Sequence, residues 1–158
     1  MKKRGMSLVE VLVASAIIMT SVVSIIGAYG GLTKLSLDNM PRIQSAMLLE
    51  EGAEALRLMR DSGWTAHIAP LGENAPYRFV WSAGQWRATT SPALIDSKFS
   101  RTFTLAPVYR DATTYDIVQT GGTLDSGTKK ATVSVSWNQK GVTTTQSIEL
   151  YVYNTFNN

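Results

Sequence analysis

Hydrophobic positions dominate the first part of the chain in one uninterrupted run. Between Val11 and Thr33 there are 23 residues, and none of them is charged. As a helix this run would be about 35 Å long, enough to cross a hydrocarbon layer of about 30 Å. Three basic residues at positions 2–4 precede it, as is typical of the cytoplasmic flank of a membrane helix. The pattern therefore predicts a transmembrane helix at about 11–33, with its N-terminus on the cytoplasmic side.

Two other kinds of segment produce a similar run. A buried core helix of a soluble protein rarely stays uncharged over such a length. A secretory signal peptide has an apolar stretch of about 7–15 residues that ends at a small-residue cleavage site. Ala14-Ser15-Ala16 has the composition of such a site, but it lies in the middle of the run. A membrane helix is therefore favoured over both.

Apolar positions beyond the run predict that the helix continues to about residue 63. Gly63 is suited to end it. Pro41 is expected to interrupt it, because proline lacks an N–H and its ring clashes with the preceding turn. Three glycines at 27, 30 and 31 should weaken the helix before that point, and they favour either close helix packing or local unwinding. The apolar face that we expect to pack on the rest of the protein is formed by Ala46, Leu49, Ala53, Leu56 and Met59.

The pattern changes to alternation of apolar and polar residues after Trp64, which predicts β-strands. We predict hairpin turns at Ala83-Gly84 and in the segment 138–141. In the third predicted strand, Phe103, Leu105 and Tyr109 should share one face. The last two strands should place Val133, Val135 and Trp137, and Ile148, Leu150 and Val152, on the inner side. The predicted strands lie at 77–82, 85–90, 99–110, 115–120, 130–137 and 142–154.

This order of elements predicts an α+β fold. A long N-terminal helix, membrane-spanning in its first half, would pack its second half on a C-terminal antiparallel β-sheet. The chain is therefore divided into a short basic N-terminal segment at 1–5, the long helix at 6–63 and a β-rich globular part at 64–158. With 158 residues and 44% apolar content, the chain fits one globular domain beside the membrane helix.

Composition excludes several classes of function. There is no cysteine, so disulfide scaffolds, thiolate metal sites and cysteine nucleophiles are absent. The net charge of +3 comes from Lys2, Lys3 and Arg4, because the other 12 basic residues balance the 12 acidic ones. The basic character is therefore confined to the first residues, and we predict no nucleic-acid surface.

The β-rich part offers no recognisable active site. No nucleophile and base are paired in any known spacing, so we predict no enzymatic activity, no cofactor and no metal. Three aspartates could attract calcium, but their spacing matches no ligand loop and favours turn residues. The other candidate residues also have structural explanations: we predict a surface histidine, a glycine turn and tryptophans that mostly pack in the core. The aspartates are Asp111, Asp116 and Asp125, the histidine is His67, the turn is Gly121-Gly122, and the tryptophans are Trp64, Trp81, Trp86 and Trp137.

Glu10 is the one unexpected residue near the apolar run. A carboxylate at the edge of a membrane helix is costly and indicates a function. It lies four residues after Met6, so on a helix it would face the turn that carries Met6. Met6 in turn follows Gly5, whose lack of a side chain would allow extended backbone to enter a narrow protease cleft.

The sequence MKKRG followed by MSLVEVLVA resembles the class III signal of type IV prepilins and of the pseudopilins of type II secretion systems. The resemblance covers roughly residues 1–35. It implies that a prepilin peptidase cuts between Gly5 and Met6 and methylates the new N-terminus at Met6. It also implies that Glu10 is the glutamate at the fifth position of the mature chain. Methionine departs from the phenylalanine that is commonest as the first mature residue, and the disulfide-closed loop frequent in the family is missing here.

The chemistry of the N-terminus agrees with this resemblance. Cutting after Gly5 removes the basic residues and leaves one α-amine and one carboxylate on an apolar rod, two charges that can neutralise each other. Between chains, Glu10 of one copy could reach the Met6 amine of the next, a head-to-tail contact that builds a helical filament when repeated.

We therefore predict a structural subunit, minor pilin or pilin-like, of an extracellular type IV pilus-type filament. Its predicted partners are the prepilin peptidase, other pilin subunits, the inner-membrane assembly machinery and, before assembly, membrane lipid. One alternative is a pseudopilin of a type II secretion or DNA-uptake system. A second is a membrane-anchored extracytoplasmic binding domain that never assembles, although such a domain has no need of Glu10.

Overall fold

A computed structural model describes residues 7–156 of the chain. The chain divides into two compact units, one ending at Pro41 and the other beginning at Arg42. The helices are α1 (Leu8–Ser62) and α2 (Trp64–His67). The strands are β1 (Arg78–Ser82), β2 (Gln85–Thr89), β3 (Phe99–Arg110), β4 (Ile117–Val118), β5 (Thr123–Gln139) and β6 (Val142–Tyr153).

Pro41 does not interrupt the helix, contrary to the sequence-based prediction. Helix α1 runs for 55 residues from Leu8 to Ser62 with Pro41 inside it. A proline removes one backbone hydrogen bond, a local cost of about 3 kcal/mol, while the turns on both sides retain their own bonds. The three glycines at 27, 30 and 31 are also helical, and a Cβ added at any of them would meet no atom within 4 Å. They make no close packing contact within this chain.

The second unit is built around the outer end of α1. The predicted face is confirmed at Leu49, Ala53, Leu56 and Met59, all of which are buried. Ala46 was predicted on this face but is exposed, and Ser45 is buried in its place. The Ser45 hydroxyl donates to the carbonyl of Arg42 at 2.8 Å and also bonds the side-chain oxygen of Gln146 on β6. A polar residue can occupy this buried position because it has partners on both the helix and the sheet.

Helix and sheet approach closely at Gly52. A Cβ added there would lie 2.8 Å from a methyl carbon of Val133 and 3.4 Å from the Arg101 side chain. Real Cβ atoms do not tolerate the shorter distance, so glycine allows the helix backbone to come near β5 at this point. The helix ends as predicted, with Gly63 at a φ of 146° after Ser62.

The main sheet has four strands in the order β4-β3-β5-β6, with every neighbouring pair antiparallel. Strands β1 and β2 form a separate hairpin. Both predicted hairpin turns are present, and the second is a two-residue turn within the predicted segment 138–141. The turn residues all have positive φ: Ala83, Gly84, Lys140 and Gly141. Positive φ at both central residues is what a type I′ hairpin turn requires.

A register shift in the sheet overturns the prediction for Tyr109. Pro107 pairs with Lys129, but the next residue, Val108, pairs with Asp125. Since side chains alternate between the faces of a strand, this irregularity exchanges the faces of the following residues. Val108 is therefore buried, while Tyr109 is 41% exposed.

The core lies between α1 and the inner face of the sheet. It includes Leu56, Phe103, Val133 and Trp137, and the half-buried Ile148 and Leu150 pack against it. Trp64 is buried as well, and Trp86 is partly buried, whereas Trp81 is exposed. The expectation that the tryptophans mostly pack in the core is therefore correct except at Trp81.

Arg101 is a buried charge that the sequence analysis missed. Its guanidinium donates to the carbonyl of Leu48 at 3.1 Å and forms an ion pair with Glu51 at 2.9 Å. It also lies over the rings of Phe79 and Trp86, with its central carbon 5.2 and 5.9 Å from the ring centroids. These partners compensate the loss of hydration. Arg101 therefore links β3 to the helix and to the β1-β2 hairpin.

Candidate functional site

The start of helix α1 contains a reciprocal pair of side-chain caps. The Ser7 backbone N–H donates to Oε2 of Glu10 at 3.0 Å. The Glu10 backbone N–H donates to Oγ of Ser7 at 3.3 Å. This is the capping box, in which Ser7 precedes the first helical residue and the glutamate three positions later bonds back to it. Two N–H groups that the helix leaves without backbone partners are thereby satisfied.

Glu10 also places a negative charge at the positive end of the helix dipole. Glu10 was predicted to face the turn that carries Met6, but Gly5 and Met6 lie outside the described residues. Ser7 was missed as its partner. The spacing Ser-x-x-Glu directly before an apolar run was the signal that could have identified it.

The helix beyond Glu10 exposes apolar side chains around its whole circumference. Its most apolar window has a mean hydropathy of 2.4 and no buried residues within the chain. Residues 7–156 contain one helix, α1, that is long and apolar enough to cross a membrane. Its hydroxyl side chains bond to carbonyls of the preceding turn, as Ser21 and Ser24 do at 2.8 Å, so they expose few free polar groups. Exposed large residues include Leu12, Ile17, Ile18, Met19, Val23, Ile25, Ile26 and Leu32.

A family model for the prokaryotic N-terminal methylation motif matches residues 1–26. That range includes the three basic residues at 2–4, Gly5 and Met6, the capping box and residues 11–26 of the apolar run. The chain carries a type IV prepilin-like class III signal. Comparison with curated proteins and with solved structures found no match.

The class III signal indicates a pilin- or pseudopilin-like precursor, a class of structural subunits. Its presence beside a long apolar helix is consistent with anchoring in a membrane and with processing by a prepilin peptidase. The globular unit agrees with this class in architecture, with a helix packed on an antiparallel sheet.

Two of the three candidate aspartates of the globular unit have structural partners, whereas the Asp116 side chain is exposed. Asp111 accepts the backbone N–H groups of Thr113 and Thr114 at 2.7 and 2.9 Å, which makes it a turn residue as predicted. Asp125 lies within β5 instead of a turn, and it bonds Arg110 and Thr128, each at 2.6 Å. In the part of the chain that the structure describes, no three His, Cys, Asp or Glu side chains form a group that could hold a metal ion. His67, which was predicted to be a surface histidine, is half-buried at the end of the short helix α2.

Asp125 is expected to make the stability of the globular unit depend on pH. The hydrogen bond from the Thr128 hydroxyl, followed by that from Arg110, lowers the pKa of Asp125 below its ordinary value of 3.8. A carboxylate with a lowered pKa in the folded state stabilises above its unfolded pKa and loses that stabilisation as pH falls through the folded pKa. We expect Asp125→Asn to lower the melting temperature at pH 7 and to differ less from the wild type at an acidic pH below the folded pKa of Asp125. Melting curves at the two pH values check this, with the exposed Asp116→Asn as control. An equal deficit at both pH values would show that the charge of Asp125 is not responsible.

Proposed function

We propose that the chain is a structural subunit, minor pilin or pilin-like, of an extracellular filament of the type IV pilus type. The observation that carries the proposal is the position of Glu10 at the head of an exposed apolar helix, within a matched methylation motif. In a helix that serves only as a membrane anchor, this carboxylate would provide a helix cap alone, and it would do so at the cost of a charge at the edge of the membrane.

Removal of the leader after Gly5 would change the chemistry of the helix start. Lys2, Lys3 and Arg4 would leave with the leader, and Met6 would carry a new, methylated α-amine. One positive and one negative charge would then remain at the tip of an apolar rod. In the low dielectric of a membrane or a filament interior, each charge is costly unless it is paired.

Assembly would provide the partner for each charge. If Glu10 of one subunit meets the Met6 amine of its neighbour, the contact uses two different surfaces and repeats without closing, which produces a helical filament. The exposed apolar side chains between Val11 and Thr33 would be covered by lipid before assembly and by neighbouring helices afterwards. Prepilin peptidase and the inner-membrane assembly machinery are the partners that these two steps require.

Processing provides the first test of the proposal. We expect Gly5→Val to keep the leader attached, because a branched side chain next to the scissile bond obstructs a narrow cleft. Expression with a prepilin peptidase and intact-mass measurement should give a wild-type chain that starts at Met6 with one added methyl group. Gly27→Ala is the matched control, since a Cβ at Gly27 meets nothing within 4 Å, and it should be processed normally. A mature chain that starts near Ser15 or beyond would instead identify an ordinary secretory signal.

A further inference from the structure

The outer edge of β6 is a long strand edge without a partner in the described structure. Strand β6 ends the sheet order and pairs with β5 over 12 consecutive positions, from Gln139↔Val142 to Thr128↔Tyr153. The pairing has no register shift. No described strand lies on the other side of β6.

Hydrogen-bond alternation identifies the backbone groups at this edge. The N–H of Asn154 donates to the carbonyl of Gly127 at 2.8 Å, which continues the ladder with β5. Because bonding direction alternates along an antiparallel strand, the even-numbered residues of β6 point their N–H and C=O groups at β5. The odd-numbered residues point outward. Within residues 7–156, no backbone partner bonds the outward groups of Thr143, Thr145, Ser147, Glu149 and Tyr151.

The chain covers the opposite edge of the sheet with its own loops. Tyr77 exchanges two backbone hydrogen bonds with Phe103, each at 2.8 Å. Ile95 and Phe99 also exchange two, at 2.8 and 2.9 Å, and the N–H of Asn74 donates to the carbonyl of Leu105 at 2.7 Å. The outward groups of β3 are thus paired at three positions. The same chain leaves those of β6 open to a partner.

β6 also lacks the features that usually protect a strand edge. Natural edge strands carry prolines, lysines, bulges or short lengths that prevent pairing with other chains. The sequence of β6, VTTTQSIELYVY, contains no proline, glycine or lysine and is rich in residues with high β propensity. Its one charged residue, Glu149, is bound to Lys130 at 2.9 Å.

We propose that the outer edge of β6 binds an extended strand from a neighbouring subunit of the filament, which adds a strand to the sheet. The inference rests on the proposed function, because the filament supplies the neighbour. A run of unpaired N–H and C=O groups at every second residue is matched by another extended backbone. The added strand should place apolar side chains beside the half-buried Ile148 and Leu150, and small polar ones beside Thr145 and Ser147 on the outer face.

The neighbour should contribute a strand other than its own β6. An antiparallel β6–β6 pair that continues the sheet has a twofold axis perpendicular to it. That axis would reverse the direction of the helix lying on the sheet in the second copy. Subunits that leave one membrane and enter one filament run in the same direction, so a heterologous edge contact fits and a twofold one does not.

Residue-resolved hydrogen exchange tests the contact on the full-length protein. In detergent, the amides of Thr145, Ser147 and Glu149 should exchange quickly, while those of Gln146, Ile148 and Leu150 should be protected by β5. In purified filaments the three odd-numbered amides should slow by at least tenfold. If the protein is in filaments and these amides still exchange as they do in detergent, the edge contact is wrong and the proposed function stands. If the processed protein never enters filaments, both are wrong.

Proline variants separate strand addition from simple burial. Ser147→Pro removes an outward N–H and no bond to β5, a position at which edge strands accept proline. We expect it to melt close to the wild type and to abolish the protection of Thr145 and Glu149 in filaments. Ile148→Pro is the matched control, because it removes a bond to β5 and should lower the melting temperature. Thr145→Pro repeats the test if Ser147→Pro does not fold. Protection that survives both edge prolines would overturn the inference.

Cysteine cross-linking tests the identity of the strand. The natural sequence has no cysteine, so each introduced thiol is unique. Single cysteines in place of Thr145, Ser147 or Glu149, mixed in pairs in assembled filaments, should form no disulfide with one another. Disulfides between two β6 strands would show twofold pairing and overturn the heterologous contact.

Discussion

Leu56→Ala is expected to lower the free energy of unfolding of the globular unit by about 2–5 kcal/mol. The Leu56 side chain has no exposed surface, and it belongs to the core cluster with Phe103 and Val133. Truncation removes buried apolar contacts and leaves a cavity that the packed helix and sheet can fill only in part. Since single domains are stable by about 5–15 kcal/mol, such a loss would bring the unit near its unfolding threshold.

A soluble fragment that begins near Asp38, melted beside its Leu56→Ala variant, gives the measurement. Leu58→Ala is the matched control, because Leu58 lies on the same helix and is 52% exposed. We expect the control to melt within a few degrees of the unchanged fragment and Leu56→Ala to melt far below it. Equal melting temperatures for the two variants would mean that Leu56 does not pack on the sheet.

The elements whose pattern is local were predictable from the sequence. The strand predicted at 99–110 is β3 with the same ends, and the hairpin turns lie at Ala83-Gly84 and within 138–141, where they were predicted. Alternation of apolar residues fixes the inner face of a strand, so Phe103, Val133 and Trp137 were assigned correctly. In each case a few neighbouring residues carry the whole signal.

The errors occurred where distant parts of the chain decide the outcome. Tyr109 faces outward because β3 and β5 shift register after Pro107, and nothing in β3 alone reveals this shift. Ala46 is small enough to lie on either side of the helix. The buried position is occupied instead by Ser45, whose hydrogen-bond partner Gln146 is 101 residues away in the sequence. The burial of Arg101 likewise depends on Glu51, Phe79 and Trp86, which the fold brings together.

The candidate site could be predicted from the sequence because its residues lie close together in the chain. Gly5, Met6 and Glu10 fall within a few residues, and the matched methylation motif spans all three. The structure adds the pairing of Glu10 with Ser7, which provides a second reason for a carboxylate at this position. Local capping and pairing with a neighbour's amine therefore both account for Glu10, and they differ in their need for charge.

Capping does not require a negative charge. A glutamine at position 10 still has a side-chain oxygen that can accept the Ser7 N–H, so the capping box would largely persist. Pairing with an amine that is buried in a filament does require a negative charge at position 10. Breaking such a buried charge pair costs about 3–5 kcal/mol. Ser7 provides the converse case, since Ser7→Ala removes the hydroxyl that accepts the Glu10 N–H and leaves the carboxylate in place. The loss of a cap of this kind is worth about 0.5–2 kcal/mol.

We therefore expect Glu10→Gln to be cleaved after Gly5 and inserted in the membrane but to enter filaments poorly. Ser7→Ala, the matched control, should be cleaved and should assemble nearly as the wild type does. The measurement is the ratio of filament-associated to membrane-associated protein, with cleavage verified by mass and position along the shaft verified by labelling. A subunit that occupies only the filament tip has no neighbour ahead of it, so the shaft is where the charge is needed. If Glu10→Gln assembles normally along the shaft, or if Ser7→Ala fails as severely, Glu10 acts as a helix cap and the charge pair is not the basis of assembly.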